Sequence, residues 1–215
     1  MTPNLDGNQA AVEYEDGDRI IVASGGKYVG TLTRTNGIFT GTLHNVVPGE
    51  KLKFYFLGNM EGELTVGDIY CQVCIREQTT EKLPVLSEGV SDELFDKNVT
   101  SYTAQLSNRC ALVKFIITNH TTATVAPIYL GKGYKTAHVW FDGRFGTTDQ
   151  YETINIAAGA IGTTVERWVI MLAQESLDPQ TKTYGDITVS QGKIDKIIEN
   201  DFKKDGINVV LNYKN

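Results

Sequence analysis

Two cysteines three residues apart, Cys71 and Cys74 in IYCQVCIRE (69–77), stand at the spacing of a dithiol redox pair or of half a zinc site. A redox pair places its first thiol at a helix N-terminus, where the helix dipole favours the thiolate. This run alternates like a strand instead. Side chains of a strand take opposite faces in turn, so Ile69, Cys71, Val73 and Ile75 share one face, and Tyr70, Gln72, Cys74 and Arg76 share the other. The two thiols then point apart and cannot bridge one another. Zinc would need two further ligands, and the one remaining cysteine, Cys110, opens the apolar run CALVKFIIT (110–118). Three cysteines leave no complete disulfide framework, and the CxxC reads as packing.

The other reactive residue types do not converge either. His44, His120 and His138 are far apart and form no HxH or HExxH pair. There is no G-x-S-x-G, and Gly131-Lys132-Gly133 lacks the Lys-Ser/Thr ending of a phosphate-binding loop. Asp16/Asp18 and Asp142/Asp149 fall short of the six or more oxygens that calcium takes, and they read as turn residues. The sequence therefore predicts no catalytic residue, no metal and no cofactor. One constellation remains, FDGRFGTTDQY (141–151) with the preceding Trp140. Trp140, Phe141 and Tyr151 could stack on a sugar while Asp142 and Arg144 bond its hydroxyls; the alternative is that the aromatics are core.

The elements that must carry these residues are strands. Period-two alternation runs through 19–23, 27–33, 37–43, 51–57, 68–77, 110–118, 124–130, 135–141, 151–157, 165–173, 182–189 and 206–213. Turn residues separate them, among them Ser24-Gly25-Gly26, Thr35-Asn36-Gly37 and Asp142-Gly143-Arg144. Spacings of roughly 8–14 residues suit a β-sandwich. Two stretches carry helical signals: Ser91 to Phe95, one turn capped by Ser91, and Lys193 to Lys204, where Ile194, Ile197, Ile198 and Phe202 also fit a strand. Residues 77–103 are polar, hold Pro84 and read as a long connection. Alternation restarts at residue 110, so two domains are expected, 1–106 and 107–215.

At 215 residues and 41% hydrophobic content the chain can bury a real core. A net charge of −6, with no Lys/Arg run longer than two, argues against nucleic acid as a partner. No apolar run approaches the ~20 residues of a membrane helix, and MTPNLDGNQA lacks the regions of a signal peptide. Both a cytosolic protein and an exported segment shorn of its leader fit these features.

Several positions taken together resemble the fimbrillin-like cell-surface proteins of Bacteroidales. They are Tyr14-x-x-Gly17-Asp18-x-Ile20-x-Val22, Gly37-x-Phe39-x-Gly41 and Leu52-x-Phe54-Tyr55-Phe56 in the first half. In the second half they are Ala111 to Phe115, FDGRFGT, Trp168 to Leu172, and Ile194 to Phe202 followed by Ile207-x-Val209-x-Leu211. The resemblance spans nearly the whole chain. It implies two tandem transthyretin-like, Greek-key β-sandwich domains and export to the cell surface or outer membrane as a lipoprotein, with membrane contact only through a lipid anchor outside this sequence. It further implies a non-enzymatic role as a fimbrial subunit or fimbria-related adhesin that assembles with itself or other subunits by β-strand addition. On that expectation the closing GINVVLNYKN is the candidate donor strand through Ile207, Val209 and Leu211, and its removal should abolish assembly while the first domain stays folded. The alternative is a glycan-binding β-sandwich module using Trp140, Asp142, Arg144 and Tyr151, its partners being host or bacterial surface glycans or proteins.

Overall fold

The computed structural model describes the strands given below, and side chains for residues 14–58, 65–73, 86–107 and 136–146 with Ala160 and Thr163. The first half contains β1 (Asn4–Asp6), β2 (Gln9–Ala11), β3 (Arg19–Ser24), β4 (Lys27–Thr35), β5 (Ile38–Leu43), β6 (Lys51–Phe56), β7 (Leu64–Val66), β8 (Tyr70–Cys74), β9 (Ser87–Leu94) and β10 (Ser101–Asn108). The second contains β11 (Cys110–Thr118), β12 (Pro127–Tyr134), β13 (Thr136–Trp140), β14 (Phe145–Thr147), β15 (Tyr151–Ala157), β16 (Thr164–Leu172), β17 (Gln174–Glu175), β18 (Lys182–Thr183), β19 (Gly185–Val189), β20 (Lys193–Phe202) and β21 (Asp205–Tyr213). The protein is all-β, and no helix occurs among the described residues.

Local sequence explains the first hairpins. β3 and β4 are joined by Gly25-Gly26 at φ 58° and 73°, and β4 and β5 by Asn36-Gly37 at φ 51° and 82°. Two-residue loops with positive φ at both positions match the right-handed twist of the strands they join. Asp16 braces the second loop, accepting from the Asn36 amide at 3.0 Å, the Gly37 amide at 3.3 Å and the Arg34 guanidinium at 2.9 Å. These bonds, led by the Gly37 amide, hold its carboxyl below the usual range.

The hairpins curl into a closed sheet ordered β10-β21-β5-β4-β3-β6-β9, with β9 returning to β10. Ile20, Val22, Leu32, Phe39, Leu43, Phe54, Phe56 and Leu106 fill its interior. Fully burying side chains of this kind stabilises by about 1.5–3 kcal/mol each. Closure leaves this sheet no free edge among its seven strands. A second sheet, β14-β13-β8-β7, lies against its flank: the Tyr55 and Phe141 rings are 5.4 Å apart, and the Tyr28 amide donates to the Asp68 carbonyl at 2.8 Å. That cover is why Ile21 and Tyr55, on the outer side of the closed sheet, are as buried as the residues inside it. The remaining strands form sheets β1-β2-β20-β11-β16, β15-β12-β19 and β17-β18.

Four expectations need correcting. Ser91 to Leu94 is the end of strand β9, and Lys193 to Phe202 is strand β20, paired along β11; long-range ladder bonds override the local helical signal in both. The stretch 77–103 is no plain connection, since it holds β9 and the start of β10. The run 182–189 divides into β18 and β19.

Candidate functional site

The CxxC run lies on β8, at the centre of the flanking sheet. Cys71 and Val73 face the closed sheet and are fully buried, while Tyr70 and Gln72 are half-buried on the opposite face. Ile69 precedes the strand and is exposed. The Cys71 thiol is in no disulfide and donates to the Val139 carbonyl at 3.8 Å. Burial, helped by the charge of Glu88, pushes it up to about 12. The Cys74 and Cys110 side chains, like His120, lie outside the described residues. Among the described residues no three His, Cys, Asp or Glu side chains gather where a metal could be held.

The outward face of the same sheet carries Trp140 with Tyr70 and His138, whereas Phe141, also a candidate for stacking, is fully buried against Tyr55. Register sets His138 beside Gln72 and Trp140 beside Tyr70. The His138 ring hydrogen-bonds the Gln72 amide oxygen and stands edge-on to Trp140 at 5.3 Å. Its partial burial favours the neutral imidazole and lowers its pKa. The turn after β13 runs through Gly143 at φ 103°, and brings Asp142 Oδ2 to 2.8 Å from Arg144 Nε. The Arg144 amide, foremost, holds the Asp142 carboxyl low. Arg144 extends back over the Trp140 ring, 5.2 Å from its centroid. Trp140, Asp142 and Arg144 are thus brought together, but in contact with one another. Tyr151 begins β15, and its side chain lies outside the described residues.

The candidate donor strand is β21. It is a stave of the closed sheet, antiparallel to β10 on one side and parallel to β5 on the other. Ile207 is level with Ala104, Val209 with both Tyr102 and Phe39, and Leu211 with Gly41. The expectation that the first half stays folded without this strand is therefore corrected: removing it would open the sheet along β5 and β10.

A cleft of mixed polar and apolar lining, with exposed Val90 among its residues, went unnoticed in the sequence. Lys53, Glu88, Asp92, Gln105 and Ser107 line a cavity of about 550 Å³, with Tyr55 beneath and Gly143 at the rim. These residues come from three strands whose adjacency no local pattern reveals. The one available signal was the alternation of polar residues in SYTAQLSN, which marks outward positions. The Asp92 carboxylate accepts from the Thr103 hydroxyl, and Lys53 Nζ donates to the Phe141 carbonyl at 3.1 Å. No family model, curated protein or solved structure matches this chain.

Proposed function

We propose that this chain is a non-enzymatic cell-surface protein, a fimbrial subunit or fimbria-related adhesin, built from two tandem transthyretin-like β-sandwich domains and joined to further copies or other subunits by β-strand addition. On this reading it is exported and reaches the membrane only through a lipid anchor outside this sequence.

The observation that supports the reading is the place of β21. It reaches the slot between β5 and β10 from the far end of the chain, with no hairpin to either neighbour. A strand held this way can leave without any turn being broken. Its departure would expose two rows of backbone N–H and C=O groups, and the same strand from a second copy would satisfy them equally.

The test is complementation. A chain ending at residue 204 should lose the near-ultraviolet signal of its packed aromatics and recover it when a synthetic peptide of residues 205–215 is added. Intact chains partly unfolded and then concentrated should form oligomers that this peptide suppresses. A truncated chain that remains folded, with the melting temperature of the full chain, removes the slot and the proposal with it.

A further inference from the structure

The cleft on the outer side of the closed sheet has a use that strand addition does not supply. β6, β9 and β10 run side by side there. Tyr55 is level with Glu88 and Glu88 with Ser107, while Lys53 is level with Val90 and Val90 with Gln105. The Phe141–Arg144 turn closes one side, pinned by the Tyr55–Phe141 ring contact and by the bond from Lys53 to the Phe141 carbonyl. The volume of this open cleft, about 550 Å³, falls within the roughly 300–1,000 Å³ of small-molecule sites.

We infer that this cleft binds an uncharged saccharide unit. The argument is one of charge and hydrogen-bonding. Lys53 stands level with the residue midway between Glu88 and Asp92 on β9, so one ammonium-bearing and two carboxylate-bearing side chains share this stretch of the cleft, the ammonium turned to the Phe141 carbonyl at the rim. A free anion entering the cleft meets the carboxylates, and a free cation meets Lys53. An apolar ligand would strip water from all three without replacing its bonds. A hydroxyl both donates and accepts. Adjacent hydroxyls of a sugar ring can give to Glu88 or Asp92 while taking from Lys53, Gln105 or Ser107. Gly143 at the rim has nothing within 4 Å of where a β-carbon would stand except Lys53 Nζ at 3.8 Å, which keeps the entrance open. Trp140 lies on the far face of β13, under Arg144, so this site is distinct from the aromatic face.

The inference holds whether or not the chains join by strand exchange, and one experiment separates it from the aromatic face. The full chain is applied to a printed array carrying neutral, sialylated or sulfated, and amine-bearing glycans. The parent, Ser107→Trp, Gln105→Ala and Trp140→Ala are compared after their melting curves are matched. Ser107 and Gln105 are exposed, so neither change disturbs the core. Retention of neutral glycans, reduced at least about tenfold by Ser107→Trp and also weakened by Gln105→Ala, is the expected result. The inference is overturned if no neutral glycan is retained, if only charged glycans are, if Ser107→Trp retains them as the parent does, or if the loss follows Trp140→Ala alone.

Discussion

Cys71 shows how placement alone decides whether a nucleophile is one. A thiol acts as thiolate, and at about 12 its ionised fraction near pH 7 is on the order of one in 10⁵. In a chain carrying Cys74→Ala and Cys110→Ala, the remaining Cys71 should stay unlabelled by an aromatic disulfide reagent at pH 8 until urea unfolds the protein. Immediate labelling of the native state would contradict this. The same burial sets a pH dependence whose sign is fixed. The unfolded thiol gives up its proton near 9.0 and the folded one near 12, so above pH 9 the unfolded state binds fewer protons and stability falls as pH rises. The full contribution is present below pH 9, and the loss is about 1.4 kcal/mol per pH unit up to about 12. Against Cys71→Ala, the parent should lose about 2 kcal/mol more between pH 8 and 10.5 in urea unfolding; equal losses would overturn the assignment. Parity made the inward face shared by Cys71 and Val73 legible in IYCQVCIRE. The depth of Cys71 was not, because it depends on β13 and the closed sheet, which are distant in the chain.

β9 is the element that sequence reasoning misread, and the reason is in its side chains. Its inward positions are Ser87, Gly89 and Ser91, too small to give an apolar alternation. Larger neighbours occupy the space instead: a β-carbon on Gly89 would stand 2.6 Å from Leu106 Cδ2 and 2.4 Å from the Gln105 carbonyl oxygen. Ser91, whose type and spacing suggested a helix cap, does cap a stray amide, but within the sheet. The β6/β9 register shifts between Lys51 and Lys53, and the Leu52 amide at that bulge donates to Ser91 Oγ at 3.0 Å while the hydroxyl donates to the Glu93 carbonyl at 2.6 Å. Ser91→Ala strands a buried amide and should cost about 1–3 kcal/mol in urea unfolding. A change below about 0.5 kcal/mol would mean that the bulge finds another acceptor. Strands with large apolar residues were legible by period, such as Arg19–Ser24, Lys51–Phe56 and Cys110–Thr118. β20 was not, because KIDKIIENDF fits both periods and only its pairing with β11 decides between them.

At the scale of the molecule, two long-range pairings tie the halves together, and neither is written in any local pattern. β8 from the first half pairs along its whole length with β13 from the second, and β21 closes the sheet formed by strands before residue 109. Such contacts close large loops, so they form late in folding and bind the stability of one half to that of the other. Gly89→Ala puts this to a measurement. Its β-carbon would meet the Gln105 backbone, which cannot swing aside as a side chain can, so the closed sheet must spread at a cost of about 1–3 kcal/mol. Both tryptophans, Trp140 and Trp168, belong to the second half, on β13 and β16. If the pairings couple the halves, the tryptophan-reported urea midpoint should fall as far as that reported by backbone circular dichroism, although Gly89 lies on β9, which pairs with neither of those strands. A tryptophan transition left at the parent midpoint would show that the second half unfolds on its own, with β8–β13 and the β21 stave giving way first. The closed sheet would then depend on a strand it does not hold firmly, and exchange of that strand between chains would become easier.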